Sequence, residues 1–224
     1  MVIKEYDILN REIDPDARLG DVQLYGIPYP GTFVVDNGGR VVERFFELRY
    51  QERFTVASIA LKLGDPIADT DRDAVRVETN HLEALAYVSD RTVALGNRFA
   101  LVVDVTLKPT MHVYAPGDHT YRVIGLRIDA PVFLQTHALA YPPSELYHYE
   151  PLDETVPVYQ QPFRLVREVT IPMSEETAGL ASTPGATLTV EGALEYQACD
   201  DEVCYIPAEL PLTWDLVWRP LVRD

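Results

Sequence analysis

Cysteine is scarce in this chain: of 224 residues only Cys199 and Cys204 carry a thiol. None precedes them, so a thiol peroxidase reaction cannot come from the N-terminal part. Long apolar runs are also missing. No stretch approaches the ~18 residues a membrane-spanning helix needs, which excludes insertion into a bilayer by this chain. Basic residues are few, 19 against 35 acidic ones, and the net charge of −16 excludes nucleic acid and anionic membrane surfaces as partners. The five histidines, His81, His112, His119, His137 and His148, lack HxxxH-type spacing, so neither a metal site nor any other cofactor is expected. No internal repeat or low-complexity tract stands out.

What remains is ordinary globular composition, 47% apolar and 24% charged, in a length that suits one or two domains. Beyond Asp73, short alternating or β-branched runs recur at 75–79, 82–88, 99–107, 121–128, 163–171, 187–197 and 210–214, separated by Gly, Pro and Asn. This pattern predicts an antiparallel β-sandwich. Pro207 and Pro211 place the last strand at an edge or a bulge, because proline cannot donate to a ladder. Upstream, Val56, Ile59, Ala60 and Leu63 fall at helical spacing opposite Gln51, Thr55, Ser58 and Lys62, predicting an amphipathic helix that buries the first set against a sheet. Residues 65–74, with four aspartates and a proline, read as a linker between a segment at 1–64 and a domain at 75–224.

The two cysteines are separated by four residues at the tip of a predicted hairpin. Opposed across such a tip, a non-hydrogen-bonded pair has Cα atoms about 4.5 Å apart, within disulfide range. The small ring constrains the unfolded chain by about 2 kcal/mol, a modest gain for a chain long enough to fold on its own core. Reversible exchange and passive stapling are both open on this evidence. The strand phase is awkward. Cys199 falls out of phase with Leu188, Val190, Leu194 and Tyr196, whereas Cys204 is in phase with Ile206, Ala208, Leu210 and Leu212. A bulge is therefore expected, with Gly192 or Pro207 as its site. Asp200, Asp201 and Glu202 put negative charge beside both sulfurs, holding a thiol at or above about pH 8.5 and making the dithiol a slow spontaneous attacker. Orientation by a docked partner would supply the rate.

The hairpin Leu194-Glu195-Tyr196-Gln197-Ala198-Cys199, its loop, and Cys204-Tyr205-Ile206-Pro207 resemble the active-site hairpin of the N-terminal immunoglobulin-like domain of DsbD, the thiol:disulfide interchange protein. Met111-His112-Val113-Tyr114-Ala115 and Val158-Tyr159 with Phe163-Arg164-Leu165 extend the resemblance over roughly residues 75 to 220. It implies an immunoglobulin-like sandwich that relays electrons between thioredoxin-fold partners through a Cys199–Cys204 disulfide, as a thiol:disulfide oxidoreductase. Cys204 would form the mixed disulfide and Cys199 would resolve it, with Tyr196 and Tyr205 flanking the pair. The family's loop between the cysteines is one residue longer, and its shielding cap loop has an aromatic residue where this sequence has Leu152. A periplasmic setting is implied. The alternative is an immunoglobulin-like scaffold domain with a structural disulfide and no turnover.

Tyr25-Gly26-Ile27-Pro28-Tyr29-Pro30-Gly31-Thr32-Phe33-Val34-Val35-Asp36, followed by Asn37-Gly38-Gly39-Arg40 and Val41–Phe46, resembles the second half of a thioredoxin-like redoxin of the AhpC/TSA class. The resemblance implies a partial α/β segment of hairpin plus helix at 1–64, with Pro30 at the cis-proline position. It also implies that the chain opens inside such a domain, whose missing half would be a partner for the cysteine pair. The first residues show no signal-peptide pattern, which leaves a cytoplasmic setting open beside the periplasmic one.

Overall fold

The computed structural model describes residues 8–11, 13–47, 52–64, 74–150, 153–179 and 185–219, arranged as two compact units, Met1–Phe54 and Thr55–Asp224. In the first unit, β1 (Arg18–Leu19) pairs with β2 (Val22–Gln23), β3 (Gly31–Val35) forms an antiparallel hairpin with β4 (Val41–Phe46), and β5 (Arg53–Phe54) closes the segment. The β3–β4 turn is built by Asp36, whose carboxylate accepts from the backbone N–H groups of Gly38 and Arg40 at 2.9 Å each, while Gly39 takes a φ of 76°. The hairpin expected from the sequence is thus present. Pro30 departs from expectation: no peptide bond among the described residues is cis. A trans bond, the lower-energy isomer, already delivers the chain into β3, and the Pro30 carbonyl accepts from Glu47 N at 3.0 Å.

The second unit opens with helix α1 (Val56–Lys62), capped by Thr55, whose side chain accepts from Ser58 N. Its sheet is that of the sandwich. Leu61 packs with Tyr87, Ala100 and Val102. The buried face differs from the predicted one: Ser58 and Leu61 are buried, whereas Val56 is 84% exposed and Leu63 is 44% exposed. Polar anchors at both ends set the helix's rotation against its periodicity. The Thr55 hydroxyl donates to Asp90 at 2.5 Å, and Lys62 pairs with Glu168.

Strands β6 (Val75–Glu78), β7 (Leu82–Val88), β9 (Asn97–Leu107), β12 (Gln135–Ala140) and β15 (Phe163–Thr170) form one sheet in the order β12-β15-β9-β7-β6. The facing sheet is β11-β16-β18-β8, from β8 (Thr92–Val93), β11 (Gly125–Asp129), β16 (Thr187–Tyr196) and β18 (Ala208–Trp218). Between them lies the core. Phe99, Leu101, Val103 and Val105 of β9 meet Val190, Leu194, Leu212, Trp214 and Leu216, while Ala100 and Val102 face the helix. β9 reads as a continuous apolar run because both of its faces are covered. This is the mainly β sandwich expected from the strand pattern, immunoglobulin-like as the family resemblance implies. Its last strand β18 meets β8 only at Val217 and Trp218, so Pro211 sits where β18 has β16 alone as a neighbour. A short helix, α2 (Glu175–Ala178), follows β15.

A third sheet orders β13-β14-β10-β17, from β10 (His112–Tyr114), β13 (Glu145–Tyr149), β14 (Glu154–Tyr159) and β17 (Ala198–Cys199). It resolves the phase problem without a bulge at Gly192. The β16–β18 register runs unbroken from Thr187 to Tyr196, and Gly192 instead admits close approach of β11, since a Cβ there would lie 2.3 Å from the Arg127 carbonyl oxygen. The break comes at Gln197, after which the chain leaves β18 and pairs with β10. Ala198 stays in the main core, and Cys199, next along the alternation, points to the other face.

Candidate functional site

Cys199 and Cys204 are joined by a disulfide across a Cα–Cα distance of 4.1 Å. The loop between them is organised by Asp200. Its backbone N–H donates to the Val203 carbonyl at 3.0 Å, and its carboxylate accepts from Glu202 N at 2.9 Å, Val203 N at 2.7 Å and the Tyr205 hydroxyl at 2.9 Å. These donors hold the Asp200 carboxyl below its ordinary range, the two backbone N–H groups first and Tyr205 next. Asp200 is therefore a structural acceptor within the loop. On the return, Tyr205 N donates to the Ala198 carbonyl at 2.9 Å and Gln197 donates its amide to the Tyr205 carbonyl at 3.0 Å. This clamp ends before β18 begins, which frees Cys204 from the phase of Leu210 and Leu212.

The two sulfurs have unequal surroundings. Cys199 is 1% exposed in a cluster with Tyr114, Val156 and Val158, whereas Cys204 is exposed between Val203 and Ile206, themselves 51% and 86% exposed. The Tyr114 hydroxyl lies 3.4 Å from each sulfur. Disulfide sulfurs carry no hydrogen, so the hydroxyl is the donor. Its ring stacks on Tyr121 with centroids 4.3 Å apart and planes 6° apart, and the Tyr121 hydroxyl donates to Glu154 at 2.6 Å. Burial first, then the neighbouring Tyr121 and Glu154, push the Tyr114 hydroxyl up to about 12. It keeps its proton throughout the physiological range.

These groups line a cavity of about 280 Å³ beside the disulfide, together with His112 and Tyr147. Tyr147 reaches the loop by donating to Asp201 at 3.2 Å, and its ring lies 4.7 Å from that of His112. His112 is 3% exposed, and burial lowers its pKa against the opposing pull of Asp201 and Asp200.

The residues singled out from sequence divide. Cys199 and Cys204 are brought together. Tyr205 braces the loop and packs on His81 at 4.6 Å. Tyr196 lies in the sandwich core, 2% exposed, its hydroxyl donating to Thr79 at 3.2 Å, on the face away from Cys199. Leu152 lies outside the described residues. Sequence reasoning missed Tyr114, Tyr121, Tyr147 and Glu154 as site residues. The alternation of His112 and Tyr114 in one short apolar run was the signal that these two share a face.

Fold and site together define a β-sandwich domain that presents a hairpin disulfide in an aromatic pocket. The chain belongs to the family of the thiol:disulfide interchange protein DsbD, N-terminal, whose model matches residues 86–211. No curated protein matches the chain. Among solved structures, the N-terminal periplasmic domain of ScsB from Proteus mirabilis is similar at 15% identity and a TM-score of 0.41, over 64% of this chain and 50% of that one. This chain thus spans half the length of that solved chain. No helix among the described residues is long and apolar enough to cross a membrane.

Proposed function

We propose that this domain carries out thiol–disulfide exchange through the Cys199–Cys204 pair, relaying electrons between thioredoxin-fold partners. The observation that carries the reading is the asymmetry of the pair. Cys204 is open to an incoming thiolate, and Cys199 is buried under a hydroxyl placed to donate to a charged sulfur. A partner thiolate attacks Cys204 Sγ, the bond to Cys199 Sγ breaks, and Cys199 leaves as a thiolate that accepts the Tyr114 hydrogen bond. The partner's second thiol then displaces Cys204, leaving this domain reduced and the partner oxidised. A leaving thiolate that is hydrogen-bonded leaves faster. The exposed apolar side chains Val203 and Ile206 flank Cys204 and suit a docked protein surface.

A redoxin-type half preceding residues 1–64 in a longer parent would be one such partner, a reading that rests on the sequence of the β3–β4 segment. Trapping tests the relay. With Cys199→Ser carrying Cys204 as its thionitrobenzoate mixed disulfide, the thiolate of a thioredoxin-fold protein lacking its own resolving cysteine should displace thionitrobenzoate and be captured as a stable mixed disulfide on Cys204. With Cys204→Ser, capture should be lost, because the remaining sulfur is buried. Equal capture by both variants would contradict the asymmetry.

A further inference from the structure

Resting on the exchange reading, we propose that His112 is the proton acceptor for Cys199 when the disulfide re-forms. His112 and Cys199 are directly opposed on β10 and β17, which puts their side chains on one face with Cβ atoms about 4.5–5.5 Å apart. The imidazole lines the cavity beside the disulfide, is 3% exposed, and its Nδ1 is buried without a hydrogen-bonding partner among the described residues. A buried polar atom left unpaired costs stability, and its retention is accounted for when another state of the protein uses it.

Of the other titratable groups lining this cavity, Tyr149 stands opposite Glu154 rather than Cys199 and Glu202 lies exposed on the loop, while the rest are committed. Tyr114 on β10 holds its proton up to about 12 and serves only as a donor. Glu154 on β14 is occupied by the Tyr121 hydroxyl, and Tyr147 on β13 donates to Asp201. Asp200 already accepts three hydrogen bonds within the loop and is a weakened base. His112 is left as the neutral base facing Cys199. Asp200 and Asp201 lie close enough to favour the imidazolium once it forms.

In a mixed disulfide between Cys204 and a partner, the Cys199 thiol gives its proton to His112 Nδ1. The resulting thiolate attacks Cys204 Sγ, the Cys199–Cys204 bond forms, the Cys204–partner bond breaks, and the partner sulfur leaves reduced as a thiolate. In the opposite direction the imidazolium returns the proton to Cys199 as it leaves.

The reaction of the reduced protein with 5,5′-dithiobis(2-nitrobenzoate) separates the two stages, since exposed Cys204 releases a first thionitrobenzoate and resolution by Cys199 releases a second. Substituting His112→Phe, which keeps a ring against Tyr147, or His112→Gln should slow the second release about 100-fold at pH 7 and make it climb with pH toward the thiol range, leaving the first within a few-fold. Matching second-phase rates and pH profiles in wild type and both variants would overturn the assignment while leaving the exchange reading intact. A wild-type disulfide that native dithiols cannot reduce would overturn both. On the unmodified protein, NMR titration of His112 gives an independent readout. The ring should titrate at higher pH in the reduced state than in the oxidised state, and an unchanged titration would contradict the proposal.

Discussion

The Tyr114 hydroxyl stands 3.4 Å from the sulfur of Cys204 and at the same distance from that of Cys199, so one donor serves whichever sulfur carries charge. Tyr114→Phe removes that donor and keeps the ring stacked on Tyr121. A hydrogen bond worth about 1 kcal/mol to the leaving sulfur predicts exchange about fivefold slower, with thermal stability little changed. Stopped-flow reduction by a dithiol checks this. An unaltered rate would mean that the hydroxyl has no part in departure of the thiolate.

Burial of α1 runs through Leu61 rather than Val56. Leu61→Ala should destabilise the protein by about 2–3 kcal/mol, as for other buried leucines, whereas Val56→Ala should stay within about 0.5 kcal/mol. Urea denaturation of the two variants checks the contrast, and a larger loss at Val56 would restore the face predicted from periodicity.

Two glycines of the β11–β16 pair differ in what surrounds them. A Cβ at Gly192 would press on the Arg127 carbonyl at 2.3 Å, while one at Gly125 meets nothing within 4 Å. Gly192→Ala should therefore cost about 1–3 kcal/mol through displacement of β11. Gly125→Ala should be nearly neutral, and similar unfolding midpoints for the two would contradict this packing.

His112 and His137 both titrate below the ordinary histidine range, each chiefly because burial penalises its charged form; Arg98 adds to the effect at His137. The unfolded chain therefore binds protons that the folded chain refuses. Their contribution to stability is complete above about pH 6.5 and is lost as pH falls from there through the folded values. Urea midpoints should drop between pH 7 and pH 5, and His112→Phe should shrink the drop. A midpoint rising on acidification across that window would contradict the burial of these rings.

Much of this was legible in the residues because the main strands alternate against one large core: β7, β9, β15, β16 and β18 all fall where β-branched and apolar runs predict them. β12 and β13 did not announce themselves. Their side chains are largely exposed, so Gln135–Ala140 and Glu145–Tyr149 carry little apolar signal. The cysteine pair was visible from spacing, whereas its polarity came from the family resemblance alone, since the burial of Cys199 depends on the chain changing sheets at Gln197. Tyr114, Tyr121 and Glu154 converge on the sulfurs from separate segments, a juxtaposition that no local pattern encodes. The rotation of α1 escaped for the opposite reason: two polar anchors at its ends outweighed a clear periodicity.

Exchange requires that the Cys199–Cys204 disulfide be reversible in the folded protein. Its reduction potential, read by equilibration in glutathione or thioredoxin buffers with alkylation and mass detection, decides the matter. A reversible pair should lie between about −180 and −270 mV, where physiological dithiols exchange with it. A disulfide that withstands reduction until the protein unfolds would contradict exchange and leave the pair a staple on a scaffold domain.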